Sequence, residues 1–495
     1  MQRLRGLTAC ASAAALLAGA ARAESLSDAA AMAYETNPTL QAERAQLRAT
    51  DEEWPQAQAG YRPTVTADGS YTYQYGLVSA PGSPSATLGE GSGVAEITVA
   101  QPLYTGGRVA TKVDAAQADI LAEREKLRAA EISVLQSVIG AYVDVRRDAD
   151  QLAISQDNVS VLQHQLDETT ARFNAGQLTQ TDVSQSEARL ALAKSQLAGA
   201  QATLAEDRAA YVAVVGQAPG ELAPEPSLDG LMPLSVDTAF DAAESGSPAM
   251  RQARAAEVAT AARLAEAKAQ TRPSVSLTGS VGYQGSQTGL GGTSGFSSQA
   301  ASLESETGVS VGVSAQAPLF TGGLYASEIR QAAEQDNAAE IGVETARRQA
   351  DQTVAQAWNQ LLGARASLAA DQEQVKADTT ALEGVRQEEG VGLRTILDVL
   401  NAQQELETSQ LALVGARRDA YVAEAGVLAA VGALDAKALS PAAPLYDPKA
   451  NYDKVRHAPG WVPWERGVAA LDHIGAPEPV FQTAGPAAGS HATTP

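Results

Sequence analysis

The sequence predicts an α+β membrane protein built from one unit used twice: a strand hairpin, a very long helix and a shorter return helix. Three observations carry this. Gln101-Pro102-Leu103-Tyr104-Thr105-Gly106-Gly107 recurs 216 positions later as Ala317-Pro318-Leu319-Phe320-Thr321-Gly322-Gly323, and self-similarity at a fixed offset marks a repeat architecture. Before each copy of this motif lie two segments whose apolar residues alternate strictly with polar ones, the period of a strand with two unlike faces. After each copy runs a proline-free stretch dense in Ala, Leu, Glu, Gln and Arg, the strong helix formers.

At the N-terminus, Arg3 and Arg5 precede an apolar Ala/Leu-rich run that reaches Ala21-Arg22-Ala23. These are the charged, apolar and small-residue regions of a secretory signal peptide, so residues 1–23 are expected to be removed and Glu24 to begin the mature chain. Leu7-Thr8-Ala9-Cys10 spells a rival, lipoprotein-like site, but the apolar run Ala11 to Ala20 lies beyond Cys10 and a signal ending there has almost no core. Cys10 is the only cysteine, so the mature chain has no disulfide and no thiolate ligand, although it enters an oxidising compartment.

The full chain carries 36 basic and 58 acidic residues, a net charge of −22. Losing Arg3, Arg5 and Arg22 leaves 33 against 58, or −25. Such a surface disfavours nucleic acid, and it serves solubility, with a role in ion selection as the alternative. After the signal no stretch approaches the ~18 uncharged apolar residues of a membrane-spanning helix, which fits either a periplasmic chain or a β-barrel with its weaker hydropathy signal.

The first repeat is expected over 24–216, a linker or equatorial segment over 217–235, and the second repeat over 236–434. Thr181-Asp182-Val183 and Leu397-Asp398-Val399 keep the offset of 216, whereas Arg62-Pro63 and Arg272-Pro273 are 210 apart. One copy therefore has six extra residues between 63 and 101. The strand hairpins fall at 64–104 and 273–320. In the first, Val65, Ala67, Gly69, Tyr71, Tyr73 and Tyr75 alternate with Thr64, Thr66, Asp68, Ser70, Thr72 and Gln74. In the second, Val309, Val311 and Val313 alternate with Ser310, Gly312 and Ser314. Strands of about ten to thirteen residues suit a tilted membrane strand of ~9–11. The Gly/Ser/Pro-rich stretches 76–93 and 285–306 read as mobile loops. A soluble sandwich with one wet face is the rival, but four strands cannot close a soluble core beside so much helix.

The long helices are expected over 107–173 and 323–389, each a rod of roughly 100 Å. Ile132, Leu135, Val138, Ile139, Tyr142 and Val145 recur every three or four residues, a single packing seam as in a coiled coil. Phe173-Asn174-Ala175-Gly176-Gln177 and Glu389-Gly390-Val391-Gly392-Leu393 end the rods, with Gly176 and Gly392 where a helix hairpin needs a left-handed residue. Return helices follow over 180–216 and 396–434, and shorter helices over 25–58 and 236–268 precede each hairpin. The Pro-rich tail 435–495 is expected to be partly docked and partly disordered, with Trp461 and Trp464 packed on the helical body.

Chemistry of other kinds is missing from the pattern. His164, His457, His473 and His491 have no metal-ligand spacing, so neither a metal nor any other cofactor is expected. The Gly-rich runs 89–93 and 289–295 have no strand-to-helix context and no following Lys-Ser/Thr, and no Ser/His/Asp set is placed as a triad. The expected function is not enzymatic.

Signal, duplicated hairpins and long helices returning through a Gly-containing turn resemble the TolC family of outer-membrane efflux proteins. Gln101 to Gly107 and Val391-Gly392-Leu393-Arg394-Thr395-Ile396-Leu397-Asp398-Val399-Leu400 carry the likeness, which covers nearly all of 24–435. It implies a homotrimer in the outer membrane of a Gram-negative bacterium, whose four strands per chain make a twelve-stranded barrel in outer-membrane lipid, continuous with a helical coiled-coil tunnel in the periplasm. It further implies a channel of tripartite efflux or type I secretion, with a periplasmic adaptor (membrane fusion) protein and an inner-membrane transporter of the RND or ABC type as partners. A trimeric adhesin or fibre using the rods as stalks is the alternative, but a stalk has no need of two strand pairs per chain. A simple diffusion porin would be nearly all strand.

At the periplasmic tip the resemblance implies a gate formed by Asp182, Arg394 and Asp398. The expectation is an Arg394 link to an acid such as Asp182, and a constriction lined by Asp398. Read from the residues alone, Asp182 and Asp398 are first-turn acids that stabilise helix N-termini. The chain departs from the family pattern in having Glu389 where an aromatic residue latches the tip, and Asn401 where a second ring acid occurs, so a weaker latch and a less acidic ring are expected. Gly176, Leu178, Gly392 and Leu393 are the residues expected to dock the adaptor.

Overall fold

The structure is a computed structural model that describes residues 23–78, 86–291, 302–441, 444–457 and 460–474. Apart from Ala23, the expected signal peptide lies outside the described residues, as does the tail beyond 474. In chain order the elements are α1 (Leu26–Thr36), α2 (Pro38–Asp51), α3 (Glu53–Gln58), β1 (Thr64–Val78), β2 (Ala86–Tyr104), α4 (Arg108–Asn174) and α5 (Gln180–Val215). There follow α6 (Val236–Gly246), α7 (Pro248–Ala269), β3 (Ser274–Gly291), β4 (Ser302–Gln316), α8 (Leu324–Gly390) and α9 (Ile396–Ala430). Three short helices close the chain, α10 (Ala436–Leu439), α11 (Ala450–Val455) and α12 (Glu465–Asp472).

The chain forms two compact units. One contains residues through Leu40, Glu131–Ala239 and Val354–Leu445; the other contains Gln41–Ala130, Phe240–Thr353 and the chain from Tyr446.

In the first unit the seam of α4 is its core: Ile132, Leu135, Val138, Ile139, Tyr142 and Val145 are all buried. Tyr142 donates its hydroxyl to the Ala223 carbonyl at 2.6 Å, so its phenol meets burial with a partner, as a buried polar group requires. The helix before the hairpin is not continuous. Pro38 opens α2 because the proline ring lacks an N–H to continue α1, and the Asn37 side chain takes over by accepting from the Thr39 N–H at 2.9 Å. Pro248 likewise divides α6 from α7, without a capping bond from the Ser247 side chain.

In the second unit the four strands form one antiparallel sheet in the order β1-β2-β3-β4. The sheet is a single layer whose apolar face is open, with Tyr71 72 % and Val309 77 % exposed. A soluble sandwich would bury that face, so the sandwich reading fails. The strands are longer than the alternation alone indicates. Residues 76–78, 86–93, 285–291 and 302–306 are strand and not loop, and only 79–85 and 292–301 of the expected mobile loops lie outside the described residues. The reason is cross-strand: Gly93, Gly91 and Gly89 pair with Tyr71, Tyr73 and Tyr75, and an added Cβ on Gly91 or Gly89 would sit 2.6 or 2.7 Å from a tyrosine hydroxyl. The tyrosine rings lie over the glycines and supply the side-chain cover that glycine lacks.

The tail differs from expectation in one respect. Trp461 and Trp464 are half-exposed and not buried in a core. The Trp464 indole N–H donates to Gln101 Oε1 at 2.9 Å, at the end of β2. The buried Asp472 accepts from the Thr105 N–H, at 2.6 Å, and from the Gly107 N–H, at 3.1 Å. The C-terminal segment thus straps the junction where β2 passes into α4, because that junction offers unpaired amide donors. Among the described residues, no helix is long and apolar enough to cross a membrane.

Candidate functional site

The tip of the first unit is where the two helical hairpins turn. Both turns use one device. Gly176 and Gly392 have φ of 79° and 80°. The Gln177 N–H reaches the Arg172 carbonyl at 2.9 Å while the Gly176 N–H reaches Phe173. Leu393 to Glu388, at 2.8 Å, and Gly392 to Glu389 repeat the pattern. This double bond is the Schellman closure, which needs a left-handed residue at the glycine position. The turn side chains are unlike: Leu393 is 76 % exposed, whereas Leu178 is half-buried.

The return helices start with capping boxes. Thr179 Oγ1 donates to Asp182 Oδ2 at 2.8 Å, and the Thr179 N–H donates to the same oxygen. Thr395 and Asp398 repeat this with 3.0 Å from the N–H and 2.8 Å from Oγ1. The backbone N–H bond, with the hydroxyl bond second, holds both carboxyls below the usual aspartate range. Both aspartates are therefore helix starters by contact, and each stays anionic.

Arg394 does not meet Asp182 within the chain. It pairs with Glu388 through Nε at 2.9 Å, inside its own hairpin, with both side chains about half exposed. The two positions at which the chain departs from the family pattern connect the hairpins. Glu389 accepts from Arg172 Nη1 at 2.8 Å, with side chains 13 % and 30 % exposed. Asn401 accepts from Arg189 Nη2 at 2.9 Å, and Gln404 accepts from Arg189 Nη1. Arg172 lies in the last turn of α4 and Glu389 in the last turn of α8; Arg189 lies on α5 and Asn401 on α9. Beneath these ties a small apolar cluster of Leu162, Leu190, Ala193 and Leu400 joins α4, α5 and α9.

Arg172 and Arg189 are the tip residues that sequence reasoning missed. A signal existed: at the 216 offset Arg172 corresponds to Glu388 and Arg189 to Glu405, so the copies carry opposite charges at equivalent places. Among the described residues, no group of three or more His, Cys, Asp or Glu side chains is placed to hold a metal.

The family described as outer membrane efflux protein matches residues 29–217 and 239–433. The chain is 33% identical to the outer membrane efflux protein BepC of Brucella suis biovar 1, over 88% of this chain and 91% of that protein. It is 26% identical to the outer membrane protein TolC of Escherichia coli K12, over 84% and 83%. The solved outer-membrane channel OprN superposes with a TM-score of 0.68 at 22% identity, covering 83% of this chain and 90% of that one.

Proposed function

Since the chain belongs to the outer membrane efflux protein family, we propose that its tip is the periplasmic gate of an export conduit. The chain is an outer-membrane channel subunit of tripartite efflux or type I secretion, with its helical part in the periplasm. Its fold is that of trimeric outer-membrane channels, and proteins of the family work with adaptor proteins and inner-membrane transporters.

For this chain the reading is a homotrimer in which twelve strands close on themselves. Closure supports it physically, since a backbone edge facing lipid has no partner for its N–H and C=O groups. The adaptor docks on Gly176, Leu178, Gly392 and Leu393, and an inner-membrane transporter of the RND or ABC type feeds the conduit.

The observation that carries the gate is the Arg172–Glu389 pair, which ties the ends of the two long helices. Together with Arg189 on Asn401 and Gln404 it holds the second hairpin against the first. Three Asp398 carboxylates line the constriction, and between copies Arg394 and Asp182 are the pair that closes it. The test is single-channel recording in planar bilayers. Asp398→Ala should weaken block by multivalent cations, because three clustered charges leave a narrow pore. Arg394→Ser should raise conductance. Unchanged block and unchanged conductance would remove these two residues from the gate.

A further inference from the structure

The sheet ends in two edges, β1 and β4, and the chain's own duplication fixes how those edges meet in neighbouring copies. Within the first hairpin Thr64 pairs with Ala100, and within the second Ser274 pairs with Gln316. The step from Thr64 to Ser274 is 210 positions and that from Ala100 to Gln316 is 216, the same two offsets that the motifs show. The two hairpins therefore share one register, and the seam between them, β2 on β3, is the pattern for the seam between β4 and the next β1.

Carrying that seam forward by 216 on one strand and back by 210 on the other gives definite pairs. Ile97↔Val281 becomes Val313 opposite Tyr71; Ala95↔Tyr283 becomes Val311 opposite Tyr73; Gly93↔Gly285 becomes Val309 opposite Tyr75. We propose that β4 of one copy joins β1 of the next in this register, an inference that rests on the homotrimer reading above.

Two independent observations agree with it. The pairs place three exposed valines against three exposed tyrosines on one face, whereas a slip by one residue would set Val313 against Ser70 and turn an entire strand over. The junction below the sheet agrees too. Arg272 Nη1 donates to the Gly106 carbonyl at 3.2 Å, and an added Cβ on Gly106 would sit 2.8 Å from Arg272 Cβ. The repeat equivalents are Arg62 and Gly322. Gly322 has nothing within 4 Å of such a Cβ, and beside it Leu319 and Phe320 are 96 % and 90 % exposed. Arg62 gives Nε and Nη2 to Glu465, and its Nη1, the atom that Arg272 uses, lies beside Gly460 and is the group proposed to meet Gly322 of the partner subunit. Phe320 then covers the partner subunit's Val65, as Tyr104 pairs with Val275 inside the chain.

The test is disulfide mapping in isolated outer membranes, with full-length chains in a Cys10→Ala background. Directly opposed residues bring Cβ atoms to about 4.5–5.5 Å, near disulfide reach, while diagonal ones lie roughly 7–8 Å apart. Val313→Cys with Tyr71→Cys should convert nearly all of the protein to a covalent trimer under mild oxidation. Val311→Cys with Tyr71→Cys, and Val313→Cys with Tyr73→Cys, should stay monomeric on denaturing gels. Stronger cross-linking in either diagonal pair overturns the register while the trimer stands, and so does a trimer in mild detergent with no cross-link in any variant. A monomer in mild detergent with no cross-link overturns the homotrimer reading itself.

Discussion

Glu389→Gln isolates the charge of the proposed latch, because the amide keeps the shape and an acceptor oxygen. The pair is 2.8 Å long and mostly shielded, so it falls between an exposed ion pair, worth ~0–1 kcal/mol, and a buried one, whose rupture costs ~3–5 kcal/mol. Replacing the charge-assisted bond by a neutral one removes about 1 kcal/mol per copy. Arg172 has a second acid, Glu168 at 3.6 Å and itself exposed, which holds the loss to that lower value. If the trimer opens in one step, three copies add to about 3 kcal/mol, roughly a hundredfold in the open-to-closed ratio. Single-channel recording should show longer and larger openings, and cells carrying the variant should admit large glycopeptide antibiotics. Arg172→Glu should open the channel as well, and Arg172→Glu with Glu389→Arg should close it again. A Glu389→Gln channel with the parent's conductance, or a reversed pair no tighter than Arg172→Glu alone, would refute the latch.

Three further outcomes follow from the same geometry. Asp148 is buried beside Arg147 and Asp207, and burial, reinforced by Asp207, pushes its carboxyl up to about 6. A raised acid stabilises the fold fully below its unfolded value near 4 and loses that contribution as pH rises through 6, so Asp148→Asn should raise the unfolding temperature at pH 7.5, by about 2 kcal/mol of stability, and leave it unchanged at pH 4 in thermal melts. Thr395→Ala removes the cap of α9 and should cost about 1 kcal/mol locally, read as faster amide exchange over 395–400 with the rest of the chain unchanged. Leu393→Asp should abolish cross-linking to the adaptor with little effect on folding, since Leu393 is exposed, whereas Leu178→Asp should also loosen the tip because Leu178 is half-buried; equal adaptor cross-linking in parent and Leu393→Asp would remove that residue from the docking surface.

What the sequence exposed and what it concealed divide along the range of the interactions. The rods were legible because composition and a 3.6-residue seam are local: α4 and α8 run Arg108–Asn174 and Leu324–Gly390, within a residue of the expected 107–173 and 323–389. The tip turns were legible because Gly176 and Gly392 satisfy a backbone requirement that few other residues meet. The outer ends of the strands were not. Gly89, Gly91 and Gly93 read as loop on their own, and the tyrosines that make them strand lie on the opposite strand. The Arg172–Glu389 pair was hidden for a similar reason. Arg172 and Glu389 are 217 positions apart, and no single-window pattern connects them. The family likeness directed attention to Arg394 and Asp182 instead, yet within the chain Arg394 turns to Glu388 and Asp182 to its own capping threonine. Glu389 and Asn401, read as departures that give a weaker latch and a less acidic ring, are residues on which cross-hairpin contacts fall.

The trimeric conduit is tested most directly by the mass of the protein extracted from outer membranes into mild detergent, measured by native mass spectrometry after the detergent is stripped. Four strands with two open edges require closure in lipid. The account predicts a single species of three mature chains, each beginning at Glu24, that falls to one chain only on denaturation. A species of one chain, with its sheet intact by circular dichroism, would contradict it.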